Sequence, residues 1–96
     1  AEFFIERHAC DEQFIKMARV MGIPNADKPE DFITALVQLQ KDCGVDELRM
    51  SDYGITPDEC MTLAKNARET MGGLFLANPC ELSDEECAKI FERSYR

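Results

Sequence analysis

Hydrophobic residues recur at helical spacing along most of the chain. One stripe falls at positions i, i+3, i+4 and i+7, a period that predicts an α-helix over about 11–21; its members are Phe14, Met17, Ala18 and Met21. A second stripe predicts a helix that follows Pro29 and ends near residue 43; its members are Phe32, Leu36, Leu39 and Cys43. No stretch alternates apolar and polar residues in the manner of a β-strand.

Two capping boxes predict where the last two helices begin. Each box consists of a Ser or Thr and a Glu three residues later, whose side chain can hydrogen-bond back to the first residue. The two pairs are Thr56 with Glu59 and Ser83 with Glu86. Helices are therefore expected over about 57–71 and 84–95, with a short stub over about 2–7 as the tail of a further helix. The fold class is predicted as all-α, a compact bundle of about four helices plus a leading helical stub, in a single domain over 1–96.

The region between the last two predicted helices is unusually apolar. Residues 72–82, here called the apolar segment, contain Gly72-Gly73, the pair Asn78-Pro79 and only one charged residue, Glu81. Since surface loops are usually polar, this segment either packs under its own helices or faces a partner or another part of the same polypeptide. The apolar residues 3–5 at the start of the chain favour the second interpretation.

Composition removes several classes of function. The chain has 96 residues, with 19 Asp and Glu against 11 Lys and Arg, and a net charge of −8 argues against binding to nucleic acid. No apolar run approaches the roughly 18 residues of a membrane span, and no signal peptide is visible. We therefore expect a cytoplasmic protein without nucleic-acid or membrane partners.

The cysteine, histidine and acidic residues, which could bind a metal ion or act in catalysis, show no pattern typical of such a site. The five cysteines include no C-x-x-C pair, so reduced thiols are expected, with Cys60 and Cys87 on apolar helix faces. His8 is the single histidine, which excludes a site with several histidines within this chain. The acidic clusters precede or open predicted helices, where the helix dipole accounts for them without a catalytic role.

Three ordered groups of residues resemble a known family. They are FIKMARVMG at 14–22; CGV at 43–45 with Leu48 and SDYGI at 51–55; and LANPCELS at 76–83 followed by IFERSY at 90–95. In this order and spacing they resemble the C-terminal end of the iron-dependent (group III) alcohol dehydrogenases, which include lactaldehyde reductases and butanol dehydrogenases. The resemblance covers nearly the whole chain.

The resemblance implies a longer parent enzyme. Members of the family have an N-terminal α/β domain that binds NAD or NADP and a helical C-terminal domain, and one Asp and three His hold Fe²⁺ or Zn²⁺. None of the metal ligands and no nucleotide-binding glycine motif has a counterpart here, and His8 falls beyond those motifs. The resemblance therefore implies no catalytic, metal-binding or cofactor-binding residue in this chain.

One position near the substrate is implied by the same resemblance. In some members the residue four before the Asn-Pro pair lies near substrate and nicotinamide, which corresponds to Leu74, with Phe75 as its neighbour. The functional hypothesis is a C-terminal helical subdomain that supports the metal-bearing helices and lines the pocket for a small alcohol or aldehyde. Its partner is then the rest of the dehydrogenase, and the 96-residue chain alone is expected to be inactive. The alternative is a free-standing acidic helical module that presents the apolar segment to another protein.

Overall fold

The chain is entirely helical, as the hydrophobic pattern predicts. The structure, a computed structural model, describes residues 1–96. Its five α-helices are α1 (Glu2–Glu6), α2 (Asp11–Val20), α3 (Asp31–Asp42), α4 (Cys60–Phe75) and α5 (Asp84–Ser94). Two short 3₁₀ helices, Met50–Tyr53 and Pro57–Glu59, precede α4, and there is no strand. The all-α prediction is confirmed.

Internal contacts divide the chain into two compact units, Ala1–Glu47 and Leu48–Arg96. The first contains α1, α2 and α3, and the second contains both 3₁₀ helices, α4 and α5. The single domain expected over 1–96 stays a prediction. None of the helices is long and apolar enough to cross a membrane.

In the first unit, α2 packs against α3 through an aromatic pair. The ring centroids of Phe14 and Phe32 lie 5.3 Å apart with the planes tilted by 43°, within the range in which aromatic side chains attract each other. Ala18 of α2 and Ala35 of α3 are buried. After α2, Gly22 takes a φ of +110°, which few other residues adopt, and this left-handed turn separates the helix from the next segment.

The predicted apolar stripes are correct only in part. Phe14 and Ala18 are buried and Phe32 and Leu36 are half-buried, whereas Leu39 of α3 is among the exposed apolar residues. The other predicted stripe members that are exposed are Met17, Met21 and Cys43. The prediction fails at these four positions because periodicity identifies an apolar face, whereas burial requires a second element to cover it.

The apolar start of the chain is buried rather than exposed. Phe3 and Ile5 are the buried residues of α1. The Phe4 ring packs edge-on against the Phe3 ring, with the two ring centroids 5.3 Å apart. The Arg7 guanidinium lies 3.7 Å from the centroid of the Phe3 ring, a cation–π contact. The residues at 3–5 therefore do not support the interpretation that this end docks on something outside the chain.

The second unit is organised around the packing of α4 on α5. Its buried centre consists of Ala64, Cys87 and Ala88, and these small residues allow the two helices to approach closely. Partly buried apolar residues surround this centre, namely Met61, Phe75, Leu82 and Phe91. The prediction that Cys60 and Cys87 lie on apolar helix faces is confirmed, since both are buried.

Hydrogen bonds at the predicted caps fix the starts of these helices. The Ser83 hydroxyl accepts a bond from the Glu86 N–H at 3.1 Å, and the Ser83 N–H donates to the Glu86 carboxylate at 2.9 Å. The Glu59 carboxylate accepts from the Thr56 N–H at 2.7 Å and from the Thr56 hydroxyl at 3.0 Å. Both predicted boxes are present, although the first opens a 3₁₀ turn that leads into α4.

The predicted end of α4 at Met71 coincides with a kink in the helix. The backbone at Met71 is non-helical, with a φ of −130°, and one further helical turn through the glycine pair follows and ends at Phe75. Two glycines weaken a helix without forbidding it, because each costs about 1 kcal/mol relative to alanine. The first part of the apolar segment is therefore the last turn of a helix, and only residues 76–83 connect it to α5.

Candidate functional site

The two predicted substrate-pocket residues lie side by side on the last turn of α4 but in different environments. Leu74 is 63% exposed. Phe75 is half-buried and packs on the centre formed by Ala64, Cys87 and Ala88. The structure therefore divides the pair into one residue open to a ligand or partner and one residue that anchors the turn.

The apolar segment as a whole shows the same division. Phe75 and Leu82 pack against the core of the second unit, whereas Leu74 and Leu76 do not. Leu76 is 89% exposed and follows directly on the last helical turn. The first interpretation is therefore correct for Phe75 and Leu82, whereas Leu74 and Leu76 stay uncovered and the second interpretation stays a prediction.

A groove of about 490 Å³ lies between the end of α4 and the start of α5. Phe75, Leu76 and Leu82 supply its apolar lining, and its charged lining consists of Arg68 and four carboxylates, those of Glu81, Asp84, Glu85 and Glu86. Leu74 is not part of the lining. The groove is therefore more polar and more acidic than typical small-ligand sites, which are mostly apolar.

The Arg68 side chain contacts three other residues of the groove, and the sequence reasoning missed it. Its Nε forms an ion pair with the Asp84 carboxylate, and one of its terminal nitrogens donates to the backbone carbonyl of Leu82. The guanidinium carbon lies 4.5 Å from the centroid of the Phe75 ring. No helical spacing predicted this contact, because the non-helical backbone at Met71 interrupts the helix between Arg68 and Phe75.

Cys87 lies behind the groove with its thiol buried. Burial raises the pKa of this thiol above its usual 9.0, the nearby Arg68 guanidinium acts in the opposite direction, and Asp84 adds to the increase. A thiol with a raised pKa is poorly ionised near neutral pH and is a weak nucleophile. Cys87 is therefore a packing residue rather than a reactive one.

The residues of this chain do not fit a catalytic metal ion. No three His, Cys, Asp or Glu side chains come together in an arrangement that could hold one. The side chain of His8 is 74% exposed, and its Nδ1 bonds to the Asp11 carboxylate at 2.8 Å. The iron implied by the resemblance therefore has no ligand set here.

The glycine pair does not form a phosphate-binding loop. Gly72 and Gly73 lie inside α4 near its C-terminal end. A phosphate loop instead precedes a helix, so that backbone N–H groups and the positive end of the helix dipole face the anion. Gly72 and Gly73 therefore do not offer a loop that could hold the phosphates of a nucleotide.

Comparison with known proteins identifies the family. The chain matches the model of the Fe-containing alcohol dehydrogenase family, C-terminal, over residues 3–95. It therefore belongs to this family, as its C-terminal helical part. No curated protein and no solved structure matches the chain.

Proposed function

We propose that this chain is the C-terminal helical subdomain of an NAD(P)-dependent, iron-containing alcohol dehydrogenase that interconverts alcohols with aldehydes or ketones. The family match over residues 3–95 carries the proposal. The partner of the chain is then the rest of the same dehydrogenase, located in the cytoplasm. Fe²⁺ or Zn²⁺ and NAD(P) belong to that other part, since the residues here do not form a metal site.

The contribution of this subdomain is shape and exclusion of water rather than an acid, a base or a metal ligand. Leu74 and Leu76 present exposed apolar surface directly after Gly73. An apolar wall of this kind suits a small aliphatic alcohol or aldehyde, of the type that lactaldehyde reductases and butanol dehydrogenases use. Removing water from a pocket strengthens the electrostatic interactions that act on the reacting atoms. The helices α4 and α5 support this wall from behind and also buttress the metal-bearing helices.

The proposal is tested first on the chain and on its gene. The 96-residue chain mixed with NAD(P)H, Fe²⁺ and a short aldehyde is expected to give no turnover above a blank without protein. The coding sequence upstream is expected to contain an Asp, three His and a glycine-rich nucleotide motif. Turnover by the chain alone would contradict the proposal, and an upstream sequence without those residues would favour a free-standing acidic interaction module.

The second test addresses the pocket directly. In the dehydrogenase that contains this chain, Leu74→Ser is expected to raise KM for a short aliphatic alcohol about tenfold, because a polar hydroxyl replaces apolar contact area. Leu48→Ser is the matched control, since Leu48 is a 52% exposed leucine outside the apolar segment. Equal KM values for Leu74→Ser and Leu48→Ser would contradict the proposal that Leu74 lines the substrate pocket.

A further inference from the structure

Three parts of the second unit meet at one side chain. Arg68 projects from the middle of α4 and contacts Phe75 on the last turn of the same helix. It also donates to the Leu82 carbonyl in the connecting segment and pairs with Asp84 in the first turn of α5. A single guanidinium therefore ties together both ends of the segment that carries the exposed Leu74 and Leu76.

The chemistry of arginine suits this role. The guanidinium is planar and always charged, so it can donate in two directions in its plane while an aromatic ring stacks on its face. The side chains of Arg68 and Asp84 are 39% and 32% exposed, which places the pair partly out of water. At this exposure water still screens the ion pair in part, so the contacts of Arg68 with the Leu82 carbonyl and the Phe75 ring contribute much of the anchoring.

The last turn of α4 needs this external support. The backbone at Met71 departs from helical geometry, and Gly72 and Gly73 follow it. Glycine loses more conformational entropy on folding than any other residue, so this turn is intrinsically weak. The orientation of Leu74 and Leu76 therefore depends on contacts that anchor Phe75 and Leu82.

We propose that Arg68 is a positioning residue, which holds the apolar segment in the orientation that forms the wall for an aliphatic substrate. The inference rests on the proposed function for the substrate, whereas the anchoring itself rests only on the contacts of Arg68. Arg68 acts through Phe75 and Leu82 and transfers no proton. The expected consequence of its loss is a disordered pocket wall on an otherwise folded subdomain.

The anchoring is tested by hydrogen–deuterium exchange on the full-length polypeptide that contains this chain. Arg68→Leu is expected to accelerate exchange about tenfold or more at the Ala77 and Asn78 amides, which bond back to Leu74 and Phe75. Lys65→Leu is the matched control, since Lys65 is exposed one turn earlier on α4. Unchanged exchange at 77 and 78 in Arg68→Leu, or equal acceleration in Lys65→Leu, would overturn the proposal.

The positioning role is tested by steady-state kinetics on the dehydrogenase. Arg68→Leu is expected to raise KM for a four-carbon alcohol about tenfold while kcat changes less than about twofold, because the wall contacts substrate but not the reacting atoms. Arg68→Lys retains the charge but lacks the planar fork, so it is expected to resemble Arg68→Leu. A normal KM in Arg68→Lys, or a loss confined to kcat, would overturn the positioning role.

The two measurements separate the failure of this inference from the failure of the proposed function. If the wild-type polypeptide has no alcohol dehydrogenase activity, both the proposed function and the proposed substrate wall are contradicted. The hydrogen-exchange measurement still tests whether Arg68 anchors the apolar segment. If the wild type is active and Arg68→Leu has normal kinetics, only the inference on Arg68 is overturned.

Discussion

Arg68 and Cys87 show how single residues in the second unit depend on each other. The guanidinium of Arg68 lines the groove between α4 and α5 and opposes the increase in the pKa of the buried Cys87 thiol. Hydrophobic periodicity did not identify Arg68, because a charged residue on a helix is normally expected to face solvent. Only its contacts with Leu82 and Asp84 show that it bridges two helices.

The raised pKa of Cys87 predicts a loss of stability in alkali. The unfolded thiol loses its proton near its usual pKa of 9.0, whereas the folded thiol keeps it to higher pH. The unfolded state therefore binds fewer protons above this pH, and stability falls as pH rises. Melting temperatures of wild type and Cys87→Ala measured from pH 8 upward should converge above about pH 9.

The exposed Cys43 supplies the control for this titration. The difference in melting temperature between wild type and Cys43→Ala is expected to change less over the same pH range. A difference between wild type and Cys87→Ala that stays constant through the alkaline range would contradict the assigned cause.

At the scale of elements, α5 is fixed by its cap and by its packing on α4. The cap is local, and the residues Ser83 and Glu86 could be identified from the sequence alone. The packing is not local, because Ala64, Cys87 and Ala88 are small residues whose burial depends on the approach of a second helix. Each feature predicts its own mutational effect.

Loss of the cap should destabilise α5. Ser83→Ala removes the hydroxyl that accepts from the Glu86 N–H and is expected to cost about 1 kcal/mol of unfolding free energy, measured by denaturant titration. Ser94→Ala on the same helix is the control, since Ser94 only bonds back to the Ile90 carbonyl and its loss should change stability by less than about 0.5 kcal/mol. Equal effects would show that the box contributes no specific stabilisation.

A larger side chain in the contact between α4 and α5 should lower the free energy of unfolding more than the loss of the cap does. Ala64 is completely buried, so Ala64→Leu forces the helices apart and is expected to cost about 1–3 kcal/mol. Lys65→Leu places the same side chain on the exposed position next to it and should change stability by less than about 0.5 kcal/mol. A neutral Ala64→Leu would mean that the helices are packed less closely than the structure shows.

At the scale of the whole molecule, the net charge of −8 is the dominant electrostatic feature. Part of the excess lies at helix N-termini, where Asp84, Glu85 and Glu86 open α5 and Asp31 opens α3. Carboxylates there are stabilised by the helix dipole. The remainder repel one another in the folded state more than in the expanded unfolded chain.

This repulsion predicts that salt stabilises the chain. Raising NaCl from about 0.01 M to about 0.15 M shortens the screening length from about 30 Å to about 8 Å. The melting temperature is therefore expected to rise by several degrees, corresponding to about 1 kcal/mol. Glu69→Lys makes the net charge two units less negative at an exposed position, so its gain from salt should be smaller. A melting temperature that falls with salt would mean that attractive ion pairs outweigh the repulsion.

The sequence determined what short-range physics controls. Helical periodicity predicted the all-α fold, and the bonds of Thr56 to Glu59 and the reciprocal bonds of Ser83 with Glu86 join residues only three positions apart. The ordered motifs predicted the family, because residue type and spacing are properties of the chain itself. These features could be read without knowing which helices touch.

Only the tertiary structure decided which residues are covered and what the apolar segment does. Leu39 and Cys43 continue a predicted stripe but are exposed, because an apolar stripe is buried only where a second element covers it. Leu74 and Phe75 are neighbours in sequence, yet one is exposed and the other is packed under α5, and Arg68 reaches Asp84 across 16 positions. Burial and long-range pairing depend on the approach of separate helices, which no local pattern specifies.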